Sequence, residues 1–165
     1  MEREELERRY TAALDAAAKQ LSYRALSTKQ LRDKLLEKGH TEDAVEYALE
    51  WLRARGLLND ETFAQSVVRS YTRRGYGELR IRQELSHRGV PREVADVAME
   101  EYEAEDATMC ALLDKRLRGD LSDRKEVDKA VAALQRRGYR WDDIKRALAA
   151  YGASQTEEEY GAEYE

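Results

Sequence analysis

The amino-acid sequence predicts an all-α protein built as three tandem three-helix modules stacked into an elongated, curved array. Three observations carry this expectation. The 165 residues include a single proline and few β-branched residues, so both the usual strand formers and the commonest helix breaker are scarce. Laid on itself, the chain repeats at a spacing of roughly 50 residues, the mark of a tandem array. Leu35, Leu85 and Leu134 align, and four residues later so do Gly39, Gly89 and Gly138. Each copy then carries an apolar stripe: Val45, Ala48, Leu49 and Leu52; Ala95, Ala98, Met99 and Tyr102; Ile144, Ala147, Leu148 and Tyr151. That i, i+3, i+4, i+7 spacing is the buried face of a helix. A module this small buries too little area alone and is stabilised by its neighbours.

The boundaries follow from the alignment: residues 1–57, 58–108 and 109–155, with 156–165 as a tail. In the first copy a helix runs through Leu14, Ala17, Ala18 and Leu21. Ser27-Thr-Lys-Gln30 then has the spacing of a capping box, in which the serine oxygen and the glutamine amide satisfy free helix N–H groups. The short second helix carries Leu31 and Leu35 and stops at Gly39, which suits the left-handed position after a helix end. Thr41 is placed to cap a third helix ending near Gly56. In the second copy Asp60 starts a helix through Phe63, Val67, Val68 and Tyr71. Gly75-Tyr76-Gly77 breaks it, with Gly77 in the place of Ser27, and Pro91 opens that copy's third helix. The third copy runs from Met109 to Arg118 and turns at Gly119–Ser122. Asp123-Arg-Lys-Glu126 then resembles a capping box, Val127, Ala130, Val131 and Leu134 form a stripe, and Ile144–Tyr151 is the last helix.

Several function classes find no support. One cysteine excludes a disulfide framework and cysteine-cluster metal sites, and no apolar run approaches the roughly 20 residues of a membrane span. The charged start, Met1-Glu-Arg-Glu-Glu-Leu, predicts no export and a cytoplasmic protein. No phosphate loop, metalloprotease motif or nucleophile elbow occurs, so neither an enzyme nor a cofactor or metal site is expected. His40 and His87 read as surface residues near helix C-termini, and Cys110 as a buried thiol facing Leu113. Trp51, Tyr102 and Tyr151 read as core or module interface.

Charge placement is more informative than net charge. The chain carries 29 Lys and Arg against 34 Asp and Glu, a net charge of −5. Residues 156–165 hold five glutamates and no base, and read as a disordered acidic tail. It is either an idle solubilising tail or a shield over a basic surface. The second helices (28–38, 78–88, 124–137) together hold twelve basic and six acidic residues; the third helices (41–55, 91–106, 140–151) hold six and thirteen. Acidic third helices disfavour a helix-turn-helix reading in which they would enter the major groove. The densest cationic segment, Ser66–Arg92, contains Arg69, Arg73, Arg74, Arg80, Arg82, Arg88 and Arg92 against two glutamates. Some of this charge has a structural explanation: Lys38, Arg88 and Arg137 each precede a glycine at a helix end, and Arg80 lies four residues before Glu84. Arg73, Arg74 and Arg82 have only Glu78 at helical spacing, which leaves them open to binding a polyanion or acidic surface.

Three stretches closely resemble the RecX family: Leu31-Arg-Asp-Lys-Leu-Leu-Glu-Lys-Gly39; Gly56-Leu-Leu-Asn-Asp-Glu-Thr-Phe-Ala64; and Arg73-Arg-Gly-Tyr-Gly77 leading through Ile81-Arg-Gln-Glu-Leu85 to Gly89. Arg136-Arg-Gly-Tyr139 and Ile144-Lys-Arg-Ala-Leu148 extend the match over about residues 12–151. The resemblance implies a non-enzymatic, monomeric modulator that lodges in the groove of the RecA–single-stranded DNA filament. There it would inhibit RecA ATPase, strand exchange and coprotease activity, and so regulate DNA repair, recombination and the SOS response. The family's basic motif falls on the middle-copy arginines, with Tyr76 as an anchor. The expected contact set is therefore Arg69, Arg73, Arg74, Tyr76, Arg80, Arg82, Arg88 and Arg92, with Lys34, Arg136 and Arg137 from the flanking copies. The resemblance leaves open whether they meet RecA or DNA. The competing readings are an autonomous DNA-binding helical-repeat protein acting without RecA, and a scaffold for another partner.

Overall fold

A computed structural model describes the backbone of residues 1–164 and the side chains of residues 1–154. The predicted acidic tail at 156–165 lies outside the fully described residues. Among the described residues there are nine helices and no strand: α1 Glu2–Tyr23, α2 Thr28–Glu37, α3 Glu42–Ala54, α4 Asp60–Arg73, α5 Glu78–His87, α6 Arg92–Met99, α7 Asp106–Leu117, α8 Arg124–Arg136 and α9 Trp141–Tyr164. The all-α expectation and the three-helix rhythm are both met. The chain divides into two units, one of Met1–Val67 with Glu84–Glu100, the other of Val68–Gln83 with Glu101–Glu165. Helices α4 and α5 thus each contribute one half to each unit.

In the first unit, α1 packs on α3 and α2 fits against both. Ala13 and Ala17 on α1 meet Leu31, Leu35, Ala44, Val45, Ala48, Leu49 and Leu52, all fully buried. Small residues on α1 let its backbone approach α3, while the leucines supply about 1.5–3 kcal/mol each on burial. The start of α2 is held by several polar contacts at once. The Ser27 hydroxyl accepts from the Gln30 N–H at 3.1 Å, and the Gln30 side chain accepts from the Ser27 N–H at 3.0 Å, the complete capping box. The same hydroxyl donates to the carbonyl of Arg88 at the far end of α5, and Ser27 is fully buried. The Thr28 N–H donates to the Asp60 carboxylate at 2.7 Å, tying in the first residue of α4.

In the second unit, α7 packs on α8 and α9. The core is Met109, Leu113, Leu117, Ala130, Leu134, Tyr139, Ile144, Ala147 and Tyr151. The Tyr151 hydroxyl donates to Asp114 at 2.7 Å and accepts from the Gly119 N–H at 2.8 Å, so a large aromatic is buried with its polar end satisfied.

Several local expectations are corrected. Helix α6 ends at Met99, which leaves Tyr102 beyond it and not on its stripe. Glu100, Glu101, Glu103 and Glu105 follow, and carboxylates at a helix C-terminus oppose its dipole. Pro91 stands at the N-cap of α6 and not inside its first turn. Thr41 occupies the N-cap of α3 without a capping bond. Asp123 accepts from the Lys125 N–H at 3.0 Å, but Glu126 turns to Lys129 at 3.2 Å, so the capping box there is half made. Helix α7 begins at Asp106, three residues before the expected start, and α9 begins at Trp141 and continues through Gly152. Cys110 is half-buried, its thiol donating to the Ala147 carbonyl at 3.6 Å, and burial raises its pKa.

Because one hydroxyl serves both the α2 cap and the Arg88 carbonyl, Ser27→Ala should cost about 2–4 kcal/mol. Urea unfolding followed by circular dichroism measures it. A loss below about 1 kcal/mol would mean that the Arg88 contact contributes nothing.

Candidate functional site

Four of the residues that the sequence marks for binding, Arg74, Tyr76, Arg80 and Arg137, meet at the corner between α4 and α5, in the second unit. Gly75, at φ +83, ends α4. Tyr76 N–H returns to the Tyr71 carbonyl at 3.0 Å, which folds the Tyr76 ring back beside Tyr71, centroids 5.2 Å apart. The chain then runs directly over the turn that follows α8. Gly77 N–H donates to the Arg137 carbonyl at 2.8 Å and Leu79 N–H to the Gly138 carbonyl at 2.9 Å. Neither glycine has room for a side chain: a Cβ on Gly77 would stand 2.3 Å from the Tyr139 nitrogen, and one on Gly138 2.3 Å from the Arg80 nitrogen.

Guanidinium groups gather on the two rings. The Arg74 guanidinium lies 4.8 Å from the Tyr71 centroid and 5.3 Å from that of Tyr76; those of Arg80 and Arg137 each lie 5.6 Å from Tyr76. At these distances the ring quadrupole attracts the cation without neutralising it. Arg137 also reaches across the corner, one Nη1 donating to the carbonyls of Arg74 at 3.3 Å and Gly75 at 3.4 Å.

Glu78 is committed elsewhere. Its carboxylate accepts from Arg140 at 2.7 Å and from Arg82 at 3.2 Å. The Arg140 hydrogen bond, which outweighs desolvation, and the Arg82 bond behind it hold the Glu78 pKa below its ordinary 4.5. Arg140 rises correspondingly.

The expected contact residues therefore fall into distinct environments. In the second unit Arg69 and Arg73 are exposed and make no ion pair among the described residues. Arg74 and Arg80 are exposed over aromatic rings, and Tyr76 is half-buried between them. Arg82 is half-buried on Glu78, Arg136 is exposed at the end of α8, and Arg137 is half-buried in the corner. Lys34, Arg88 and Arg92 belong to the first unit. There Lys34 is half-buried in the last turn of α2, and Arg92 is exposed at the start of α6. Arg88 pairs with Glu84 at 2.8 Å and lies 6.0 Å from the Phe63 ring. Glu84 thus faces Arg88 where the sequence suggested Arg80. Sequence reasoning missed Tyr71, read there as core only, and Arg140, whose carboxylate partner lies 62 residues away. The signal available for Tyr71 was Arg74 three residues on, on the same helix face.

A second, polar cleft of about 420 Å³ in this unit is lined by Glu78, Tyr102, Glu103, Ala104, Asp143 and Arg146. Arg146 already pairs with Asp106 at 3.0 Å and Asp143 at 3.1 Å, so most of its charge is matched internally. The Tyr102 hydroxyl is buried there without a hydrogen-bond partner, and burial pushes its pKa up. Among the described residues no group of three or more His, Cys, Asp or Glu could hold a metal ion, and no helix is long and apolar enough to cross a membrane.

Family models of the first, second and third three-helix domains of RecX match residues 13–52, 59–99 and 103–148. The chain belongs to the RecX family. It is 36% identical over 152 residues to the regulatory protein RecX of Halorhodospira halophila, spanning 91% of this chain and 94% of that protein. To the regulatory protein RecX of Vibrio campbellii it is 39% identical over 140 residues, 82% of this chain and 88% of that one. The crystal structure of RecX from Lactobacillus salivarius has the same fold, with a TM-score of 0.82 at 24% identity over 88% of this chain and 97% of that one. Membership of RecX supports a regulatory role.

Two tests follow from this geometry. Gly138→Ala should lower stability by about 3 kcal/mol or more, since it adds left-handed strain to a clash with the α5 backbone. A thermal midpoint within about 2 °C of the parent would contradict the close approach. Glu78 has a depressed pKa when folded, so its contribution is present above pH 4.5 and is lost as pH falls through the folded value. Arg140→Ala should raise the Glu78 pKa toward 4.5, lowering stability above pH 4.5 and shrinking the loss that Glu78 contributes as pH falls. Carboxyl-carbon NMR titration reads the shift directly.

Proposed function

We propose that this protein regulates the RecA recombinase by binding the RecA–single-stranded DNA filament, with the α4–α5 corner as its principal contact. On this reading it lodges in the filament groove and inhibits ATP hydrolysis, strand exchange and coprotease activity. It would thereby modulate DNA repair, recombination and the SOS response, acting in the cytoplasm as a monomer without cofactor. Family membership supports the class of role, and one observation supports the site. The arginines of the corner keep their charge available: Arg69 and Arg73 make no ion pair among the described residues, and Arg74 and Arg80 rest on aromatic faces instead of carboxylates. Such groups can exchange a ring for a phosphate or an acidic side chain without first breaking a salt bridge. Arg82 is a weaker candidate, because binding through it would cost its bond to Glu78.

The same availability of charge favours a second reading, direct DNA binding without RecA. The two separate in one titration. Substoichiometric protein should inhibit the single-stranded-DNA-dependent ATPase of cognate RecA. The double reversal Arg69→Glu/Arg73→Glu should raise the half-inhibitory concentration roughly tenfold or more, the effect of losing about 1.4 kcal/mol, while helical circular dichroism is retained. Absence of inhibition by the parent protein, together with DNA affinity in the micromolar range or tighter that falls steeply with salt, would favour the second reading. Inhibition that survives the double reversal would move the contact away from this corner.

A further inference from the structure

We propose that Arg137 is a positioning residue: it fixes the corner that presents Arg74, Tyr76 and Arg80, and does not itself meet the partner. This rests on the reading of that corner as the contact surface. The argument comes from comparing equivalent positions in the repeat. Lys38, Arg88 and Arg137 each precede the aligned glycine, and the residues four before them are Lys34, Glu84 and Ala133. Where that residue is an acid, the arginine folds back along its own helix: Arg88 pairs with Glu84 at 2.8 Å. Where it is Ala133, no such partner exists, and the guanidinium reaches off the helix to the carbonyls of Arg74 and Gly75.

Those two carbonyls belong to the turn that closes α4, where the chain leaves the helix and a carbonyl has no intrahelical donor. Arg137 supplies a donor, and its own carbonyl takes the Gly77 N–H from the other side of the turn. The corner Arg74–Gly77 is therefore gripped at both ends by one residue. Arg137 also lies against the Tyr76 face, which sets the ring that Arg74 and Arg80 rest on. With its guanidinium half-buried in these contacts, it has little freedom to bridge to a ligand, whereas Arg74 and Arg80 are exposed. A lysine here keeps the charge and loses the planar guanidinium that lies against the Tyr76 ring while its Nη1 reaches both carbonyls.

The full-length protein tests this with two readouts. Hydrogen exchange of the Gly77 and Leu79 amides, measured without RecA, reports the grip on the corner; the half-inhibitory concentration on RecA bound to single-stranded DNA, measured across salt concentrations, reports contact. Arg137→Lys should raise exchange at both amides about tenfold and weaken inhibition about tenfold, with the salt dependence of inhibition unchanged. Arg74→Ala/Arg80→Ala should do the reverse, leaving exchange at the parent rate and flattening the salt dependence. If Arg137→Lys loses its helical circular dichroism, Ala133→Glu replaces it, offering Arg137 the intrahelical partner that Arg88 has. Parent-like exchange in the variant used, or full inhibition retained with the lysine charge, would overturn the positioning role. Inhibition unaffected by Arg74→Ala/Arg80→Ala would instead count against the corner as contact surface, while the exchange result would still decide whether Arg137 holds it.

Discussion

The structure depends on one close approach, made once in each unit: the N-terminal end of a second helix is laid on the glycine turn that closes the second helix of the following copy. The physics is that of two helix ends with complementary deficits. A helix start has N–H groups without acceptors and the positive end of the dipole; a helix end has carbonyls without donors and the negative end. In the second unit the Gly77 and Leu79 N–H groups of the α5 start meet the Arg137 and Gly138 carbonyls at the α8 end. In the first, the Ser27 hydroxyl at the α2 start meets the Arg88 carbonyl at the α5 end. Each contact satisfies groups that would otherwise be buried without partners. This explains the glycine in two of the three copies: a Cβ on Gly89 or Gly138 would collide with the opposing chain, Lys29 in one case and the Arg80 backbone in the other, whereas Gly39 shares only the positive φ.

That constraint also accounts for the charge distribution at the corner. Arginine before the glycine complements the helix end, which is a structural use of cationic charge. The arginines on the other side of the contact have a different environment. Of the two acids near them in sequence, Glu84 pairs with Arg88, and Glu78 is drawn away by Arg82 and Arg140, which hold its pKa below the ordinary value. Arg74 and Arg80 are left with tyrosine faces. A cation over an aromatic ring is held at an exposed site by only about 0.5–1 kcal/mol, so it is ordered but readily transferred. Such a cation passes to a phosphate or carboxylate more readily than one held in a saturated ion pair.

Much of the fold was legible in the sequence because its signals are periodic and local. The stripe positions Val45, Ala48, Leu49, Leu52, Ile144, Ala147 and Tyr151 are all buried, and the Ser27–Gln30 capping box is complete. Some of the misplaced features depend on a competing local charge or a distant partner. Helix α6 stops short because four glutamates crowd its end, and Tyr102 leaves the stripe with it. Glu126 abandons its capping role because Lys129 is closer at hand. At the corner, sequence marked the cluster of arginines as candidates, but spacing along one helix could not show which were already paired. The Arg140–Glu78 bond spans 62 residues, and only the folded contact between the α4–α5 corner and the α8–α9 turn brings the two together.

The two versions of the helix-end contact show how a repeat can diverge in use while keeping its backbone. With serine at the cap in the first unit, a side chain makes the bond and is wholly buried; the arginine opposite is retained by Glu84 along its own helix. With glycine at the cap in the second, the backbone amide makes the bond directly, which draws the chains closer and brings the Tyr76 ring within reach of the arginine opposite. Two substitutions distinguish them, serine to glycine at the cap and glutamate to alanine four residues before the arginine. Neither alters the glycine turn on which the fold rests. The cap glycine lets the backbones meet directly, the alanine leaves the guanidinium no intrahelical carboxylate, and Arg137 reaches the Arg74 and Gly75 carbonyls. A contact that serves only stability in one unit can in this way become the support for an exposed cationic surface in the other.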